Sequence, residues 1–290
     1  MNTPPRLLIT CEHATNAVPE RYANLFDSPH ARKTLQSHRG WDPGAAELSR
    51  ALSPLTSDLG PRSPCLPSSC PLSPVPCLRT TDLRPRTSAG LCPLPSDLYP
   101  LPSPPPCLLG PFTRLLVELN RSPDHPEFWS EFTRDLPPAE KEAIVHDLYS
   151  PFRRAARETI DHLSNGGRTT VFHLSVHTFT PVLHGEIREV EIGLLFDPSR
   201  PLEVRWADAW EGALVSLAPG WRVRRNSPYR GTDDGHATHL RTRYPTHIYA
   251  GIELEVNQAL AADPDSWPAA RDILRRALAL SLQANGERKF

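Results

Sequence analysis

Two histidines, at positions 13 and 177, stand where apolar runs give way to polar residues, and another apolar run carries a glutamate at every second position. Imidazole nitrogens and carboxylate oxygens are the donors that hold zinc. A carboxylate beside a metal is also the usual base for metal-assisted hydrolysis. The first group is Cys11-Glu12-His13-Ala14-Thr15-Asn16, directly after Arg6-Leu-Leu-Ile-Thr-Cys11. The second is Glu118-Leu119-Asn120-Arg121, in which Arg121 can fork onto a carboxylate with two hydrogen bonds. The third is His177, four residues after His173 in one run. Four residues of strand rise about 13 Å, so these two cannot share an ion, and His177, at the run's end, is the ligand candidate. The fourth is Gly251-Ile-Glu253-Leu-Glu255-Val-Asn257-Gln258, where alternation sets Glu253, Glu255 and Asn257 on one face. Carboxylates on an otherwise apolar strand are costly to bury without partners. The fifth is the polar loop from Asn226 to His236, with Tyr229, Arg230, Asp233 and Asp234. His236 and His239, three apart, are weaker metal candidates. Each group has a plainer reading: a capped turn for Glu12 to Asn16, a solvated arginine at 121, an exposed strand face at 253–257, an ordinary turn at 226–236.

The elements that must position these groups alternate between two periods. Strands are predicted at Arg6–Cys11, Thr113–Leu119, Thr169–Val176, Glu189–Phe196, Trp221–Arg225 and Thr246–Val256. Helices are predicted at Pro43–Leu52, Pro137–Leu163, Leu202–Leu217 and Ser266–Gln283, the first with Asp42 placed to cap it and Pro43 in its first turn. Strands alternating with helices predict an α/β fold, a largely parallel or mixed sheet with helices on both faces. In such sheets ligands bind beyond the carboxyl ends of the strands, which is where the polar groups fall.

Composition removes several function classes. The 32 Lys+Arg balance 33 Asp+Glu, so no electrostatic case exists for nucleic acid or an anionic membrane. No apolar run is long enough to span a bilayer, and residues 1–6 lack a signal-peptide pattern; the expected location is cytoplasmic. There is no GxSxG elbow, P-loop, GxGxxG or HExxH. From about 54 to 111 the chain turns rich in Pro, Ser, Cys and Leu, with nearly half of all 34 prolines. Proline at that density blocks helix and central strand alike. The expectation is one domain over 1–290 with an irregular insertion at about 54–111; the same composition fits a stretch not under selection as protein. Five of the six cysteines lie there without CxxC spacing, so neither a disulfide framework nor a zinc ribbon is read from them.

Taken together, LLITCEHATNAVP, HRGWDPGAAELS, RLLVELNRSPD, FHLSVHTFTPVLHG, NSPYRGTDDG and GIELEVNQ resemble the N-formylglutamate amidohydrolase family, within the zinc-carboxypeptidase-like group that includes aspartoacylase. The likeness runs in order from about residue 6 to 260, the Pro-rich segment excepted. It implies a twisted mixed sheet flanked by helices, one zinc per chain, and hydrolysis of an N-acyl amide of an acidic amino acid such as N-formylglutamate to formate and the free amino acid. It implies zinc ligands at His13 and His177, a catalytic glutamate at Glu255, and a substrate-carboxylate pair at Asn120 and Arg121, with Tyr229 or Arg230 at the oxyanion or a side-chain carboxylate. The wider group carries a further Glu ligand three residues after its first His; here that position is Asn16, so the third ligand is open between Asp42, where the resembled family tends to keep an acidic residue, Glu12 and Asn16 itself. The expected partner is a small N-acyl amino acid. The rival readings are a metal-free binding protein of the same fold and a zinc peptidase or amidase with another substrate.

Overall fold

The computed structural model describes residues 6–53 and 105–286. The expected insertion at 54–111 therefore lies mostly outside the described residues, with Cys65, Cys70, Cys77 and Cys92; its last part, Cys107–Leu109, forms a short strand. In chain order the elements are β1 (Arg6–Cys11), α1 (Pro29–Leu35), α2 (Ala45–Leu52), β2 (Cys107–Leu109), α3 (Pro138–Ile144), α4 (Ser150–Leu163), β3 (Val171–Phe179), β4 (Val182–Leu183), β5 (Glu186–Ile187), β6 (Ile192–Leu195), α5 (Pro201–Leu217), β7 (Val223–Arg225), α6 (His236–Arg243), β8 (Tyr249–Asn257), α7 (Gln258–Ala261) and α8 (Trp267–Gly286). One π-helical turn, Val145–Tyr149, joins α3 to α4, so the predicted long helix over 137–163 holds as a helical run in two registers.

Six strands form one mixed sheet in the order β2-β1-β3-β8-β6-β7. Only the β8–β6 pairing is antiparallel; the others are parallel. The expected α/β architecture is thus present. Every residue of the two central strands, β3 and β8, is buried. Alternation sorts their side chains. Phe172, Leu174, Val176, Ala250, Ile252, Leu254 and Val256 join Trp206 and Trp210 of α5 and Leu274 and Leu278 of α8 in one apolar core. On the opposite face Val171 and Tyr249 pack with Ala156 and Ile160 of α4 and Leu240 of α6. Toward the carboxyl ends of β3 and β8, that second face is polar: His173, Ser175, His177, Glu253 and Glu255. A sheet covered on both sides normally reads as continuous apolar runs, so the polar half-face marks where this one is used.

Two expectations are corrected. Thr113–Leu119 is a series of turns, not a strand. The Thr113 hydroxyl accepts from Leu115 N (3.2 Å) and donates to Gly40 O (2.8 Å), and Leu116 N reaches Thr113 O (3.1 Å). The segment's leucines bury among Phe112, Phe128, Ile144 and Tyr149 rather than against a sheet neighbour. Asp42 does not cap α2, which begins from Gly44 with no side-chain cap; its carboxylate faces the histidines instead. Among the described residues, no helix is long and apolar enough to cross a membrane.

Candidate metal centre

Three buried side chains from three separate segments converge. His13 follows the end of β1, Asp42 precedes α2, and His177 sits near the carboxyl end of β3. His13 Nδ1 and His177 Nδ1 are 3.2 Å apart, and both face Asp42 Oδ2, at 3.2 and 3.0 Å. Among the described residues this is the group of donors that could hold a metal ion. The loop after β1 is pinned to the segment before α2 by Asp42 N donating to His13 O (3.0 Å). Gly110 lets the chain past that bend, because a Cβ there would lie 2.1 Å from Glu12 O.

The far nitrogen of each imidazole is held by a carboxylate. His13 Nε2 meets Glu118 Oε1, and His177 Nε2 lies 3.4 Å from Glu12 Oε2 and 2.9 Å from Ser175 Oγ. This leaves both Nδ1 atoms turned inward toward Asp42. Arg114 ties the two acids together, donating from Nε to Glu118 Oε2 (2.7 Å) and lying 3.5 Å from Asp42 Oδ1. Burial alone would raise the Asp42 carboxyl, but His13 and His177 outweigh it and hold it well below the carboxylate range. Burial is likewise overcome at Glu118 by Arg114 and His13, and at Glu12 by His177 and His236, so both are held low. His177, which burial would lower, is raised well above its ordinary value by Asp42 and Glu12.

The donor set fits a divalent cation such as zinc. Ligand atoms around a tetrahedral zinc, at about 2.0–2.2 Å from the ion, sit a little over 3 Å from one another, the spacing of these three. Metal-bound histidines give their other nitrogen to a carboxylate or carbonyl; His13 does so at Glu118, and His177 bonds Ser175 Oγ, which donates on to Glu12.

Glu12, the alternative third ligand, is engaged elsewhere. It is fully buried and accepts from Thr10 Oγ1 (2.8 Å), Ser175 Oγ (2.7 Å) and His236 Nδ1 (2.8 Å). Asn16 donates to Leu35 O (3.1 Å), away from the cluster. His236 and His239 lie outside the donor group; His236 is a buried partner of Glu12, pushed down to about 4 by burial and the nearby Arg153. His173 bonds Tyr249 Oη (2.6 Å) and Thr10 Oγ1 (2.9 Å), and burial takes it down to about 3.

Glu255 is the register partner of His177 on the neighbouring strand. It is buried, and its Oε2 has no hydrogen-bond partner among the described residues. Burial pushes its carboxyl up to about 8; Asp42 and Glu253 add to the rise and His177 opposes it. Gly193, its partner on β6, leaves space above it: a Cβ there would meet Ser227 O at 2.3 Å and Glu255 Cβ at 3.2 Å. Asn120 lies between His177 Nε2 (3.5 Å) and Glu253 Oε2 (3.4 Å), and its Oδ1 accepts from His236 N (2.7 Å). Arg121 bonds Asp234 O through Nη1, while its buried Nε has no partner among the described residues. Tyr229 is 41% exposed, and its hydroxyl accepts from Arg188 Nη1 (2.9 Å); Arg230 is exposed beside it. The sequence reading missed Arg114, Arg188 and the pairing of Glu118 with His13. For Arg114 a signal existed: a cation inside an apolar run with Glu118 four residues on.

A sequence model of the N-formylglutamate amidohydrolase family matches residues 86–262, more than half of the chain. That range contains Asn120, Arg121, His177 and Glu255; His13 and Asp42 precede it. No curated protein matches. Among solved structures, a gene product of Agrobacterium tumefaciens is similar, with TM-score 0.68 and 26% identity over 98% of this chain and 92% of that one. An N-formylglutamate amidohydrolase from Ralstonia eutropha shares the fold, with TM-score 0.60 and 15% identity over 97% of this chain and 93% of that one.

Proposed function

The chain belongs to the N-formylglutamate amidohydrolase family, and from that premise we propose that it hydrolyses the N-acyl amide of an acidic amino acid, N-formylglutamate above all, with one zinc ion held by His13, Asp42 and His177. The observation that carries this reading is the inward-facing Nδ1–Nδ1–Oδ2 triangle, each imidazole braced from behind by a carboxylate. When bound, zinc supplies Lewis acidity, polarising an acyl carbonyl and acidifying water.

The chain's own residues do the rest. Glu255, buried with Oε2 free, takes a proton from the attacking water and returns it to the departing amine nitrogen. Burial raises the proton affinity of this carboxyl, and a cation held by the three ligands would draw it back down toward the working pH, where both transfers are open to it. Arg121 and Asn120 hold the substrate's α-carboxylate, Arg121 with a guanidinium whose Nε has no hydrogen-bond partner among the described residues. Tyr229 and Arg230 form the outer rim.

Elemental analysis of the full chain, purified without chelator, tests the centre. The expected result is about one zinc per chain, lost in a His13→Ala/His177→Ala double variant. Glu255→Gln should keep the zinc and lose about 10²- to 10⁴-fold in kcat on N-formylglutamate. A protein that refuses zinc, or a Glu255→Gln enzyme of undiminished rate, would overturn the reading; the first outcome moves it to a binding protein of the same fold.

A further inference from the structure

Arg188 lies just past the β4–β5 hairpin, and its backbone is fixed at both polar atoms. Its N–H donates to Pro181 O (2.8 Å), and its carbonyl accepts from Asn257 Nδ2 (3.1 Å) at the end of β8. Its guanidinium stands over the rings of Phe179 and Tyr229, 5.7 and 5.1 Å from their centres, and donates to Tyr229 Oη (2.9 Å). Among the described residues it meets no carboxylate, unlike Arg114, which holds Glu118 and Asp42. A guanidinium braced by two aromatic faces yet left without an acid is preorganised for an anion that arrives from outside.

Its position relative to the reacting centre follows from the register. His177 pairs with Glu255, and Phe179 pairs with Asn257, two residues further along both strands. Two residues of strand rise about 6.6 Å, and both pairs lie on the same face. Arg188 stacks on the outer pair's Phe179 and is bonded by its Asn257.

We propose that Arg188, braced by Phe179 and Tyr229, binds the side-chain carboxylate of the substrate and sets the preference for an acidic amino acid. The proposal rests on the amidohydrolase reading and deepens it. The α-carboxylate stands too close to the scissile nitrogen to span the gap between the inner and outer strand pairs, whereas the side-chain carboxylate of a glutamyl skeleton spans it. Arg121, joined through Asp234 to the same loop that carries Tyr229, then holds the α-carboxylate, and the two arginines grip one dicarboxylate.

The test compares N-formyl-L-glutamate with N-formyl-L-glutamine, nearly identical in shape, on the zinc-loaded full chain, Arg188→Gln and Arg188→Lys. The glutamate-to-glutamine ratio of kcat/KM should fall about 10- to 100-fold in Arg188→Gln and recover in part in Arg188→Lys. Because the ratio is internal, a loss of folded protein does not move it. A ratio that survives Arg188→Gln overturns the assignment even in a proven amidohydrolase. If neither compound is hydrolysed, the amidohydrolase reading fails separately, and calorimetric binding of the same pair decides Arg188. A preference for the acid that Arg188→Gln abolishes supports the role; equal binding of acid and amide by the native chain overturns it.

Discussion

Glu118 and Glu12 act on the proposed zinc site without facing it. Each takes the outer nitrogen of one imidazole, and this fixes which nitrogen points inward. A carboxylate in that place also makes the imidazole a stronger donor. Glu118→Gln keeps the shape and weakens the charge-assisted bond. The expected outcome is about 10- to 100-fold weaker zinc affinity, read by competition with a chromophoric chelator. Affinity equal to the native chain's would show that the turn around Thr113, not the carboxylate, orients His13. Glu12 should behave differently. It also accepts from Thr10, Ser175 and His236 in a fully buried place, so Glu12→Ala strands three donors and should cost stability as well as zinc. Thermal melting of the chelated protein ranks the two: Glu118→Gln, which keeps an acceptor for Arg114 but loses the charge, melts below the native temperature, and Glu12→Ala further below it.

At the scale of elements, one buried ion pair carries much of the site's support. Glu203, on α5, accepts from Arg241 Nε (3.1 Å) and from Gly251 N (3.0 Å) on β8. Arg241, on α6, also donates to Gly231 O in the loop over the site and to Gly251 O (3.0 Å). The pair thus ties α5, α6, β8 and that loop together. Glu203→Ala leaves two buried guanidinium groups, Arg241 and Arg200, without their carboxylate, and a loss of about 3–5 kcal/mol is expected from urea unfolding; a loss under 1 kcal/mol would mean that water reaches them. None of this was legible in the sequence, where Glu203 and Arg241 are ordinary helical charges far apart. What could be read was what repeats locally. The period-two runs ending in His177 and Glu255 gave the central strands and their polar face, because both periods and burial act within a few residues. Asp42 could be named only through family likeness, since its local signal, an acid before a proline and a helix, is that of a cap. The run at 113–119 misled for the converse reason: its leucines suit a strand, but Thr113's local bonds and the apolar cluster around Phe128 hold it in turns. Arg188 gave no signal at all, because its meaning depends on a hairpin that returns it to the end of β8.

For the molecule as a whole, the polar half-face carries a cost that pH exposes. His173 and His236 are buried on it with ordinary imidazole pKa values depressed, to about 3 and about 4, chiefly by loss of solvent. Above pH about 6.5 both are neutral in folded and unfolded chain alike, and neither contributes a pH dependence. Below that, the unfolded chain binds protons that the folded one refuses. Stability then falls as pH drops, by up to about 1.4 kcal/mol per pH unit for each imidazole, and the fall from these groups ends only as pH reaches the folded values. In urea unfolding of the chelated chain between pH 7 and pH 5, these two imidazoles should add nearly two protons to the slope at the acid end, while Glu255, protonated in the folded chain alone, takes about one away. His173→Gln, whatever its absolute stability after losing the bonds to Tyr249 and Thr10, should reduce that slope by about one proton. An unchanged slope in the variant would mean that His173 is protonated in the folded protein. The hydrogen bonds from Tyr249 through His173 and Thr10 to Glu12 would then have to carry a buried positive charge, and Glu12 would be the carboxylate that balances it.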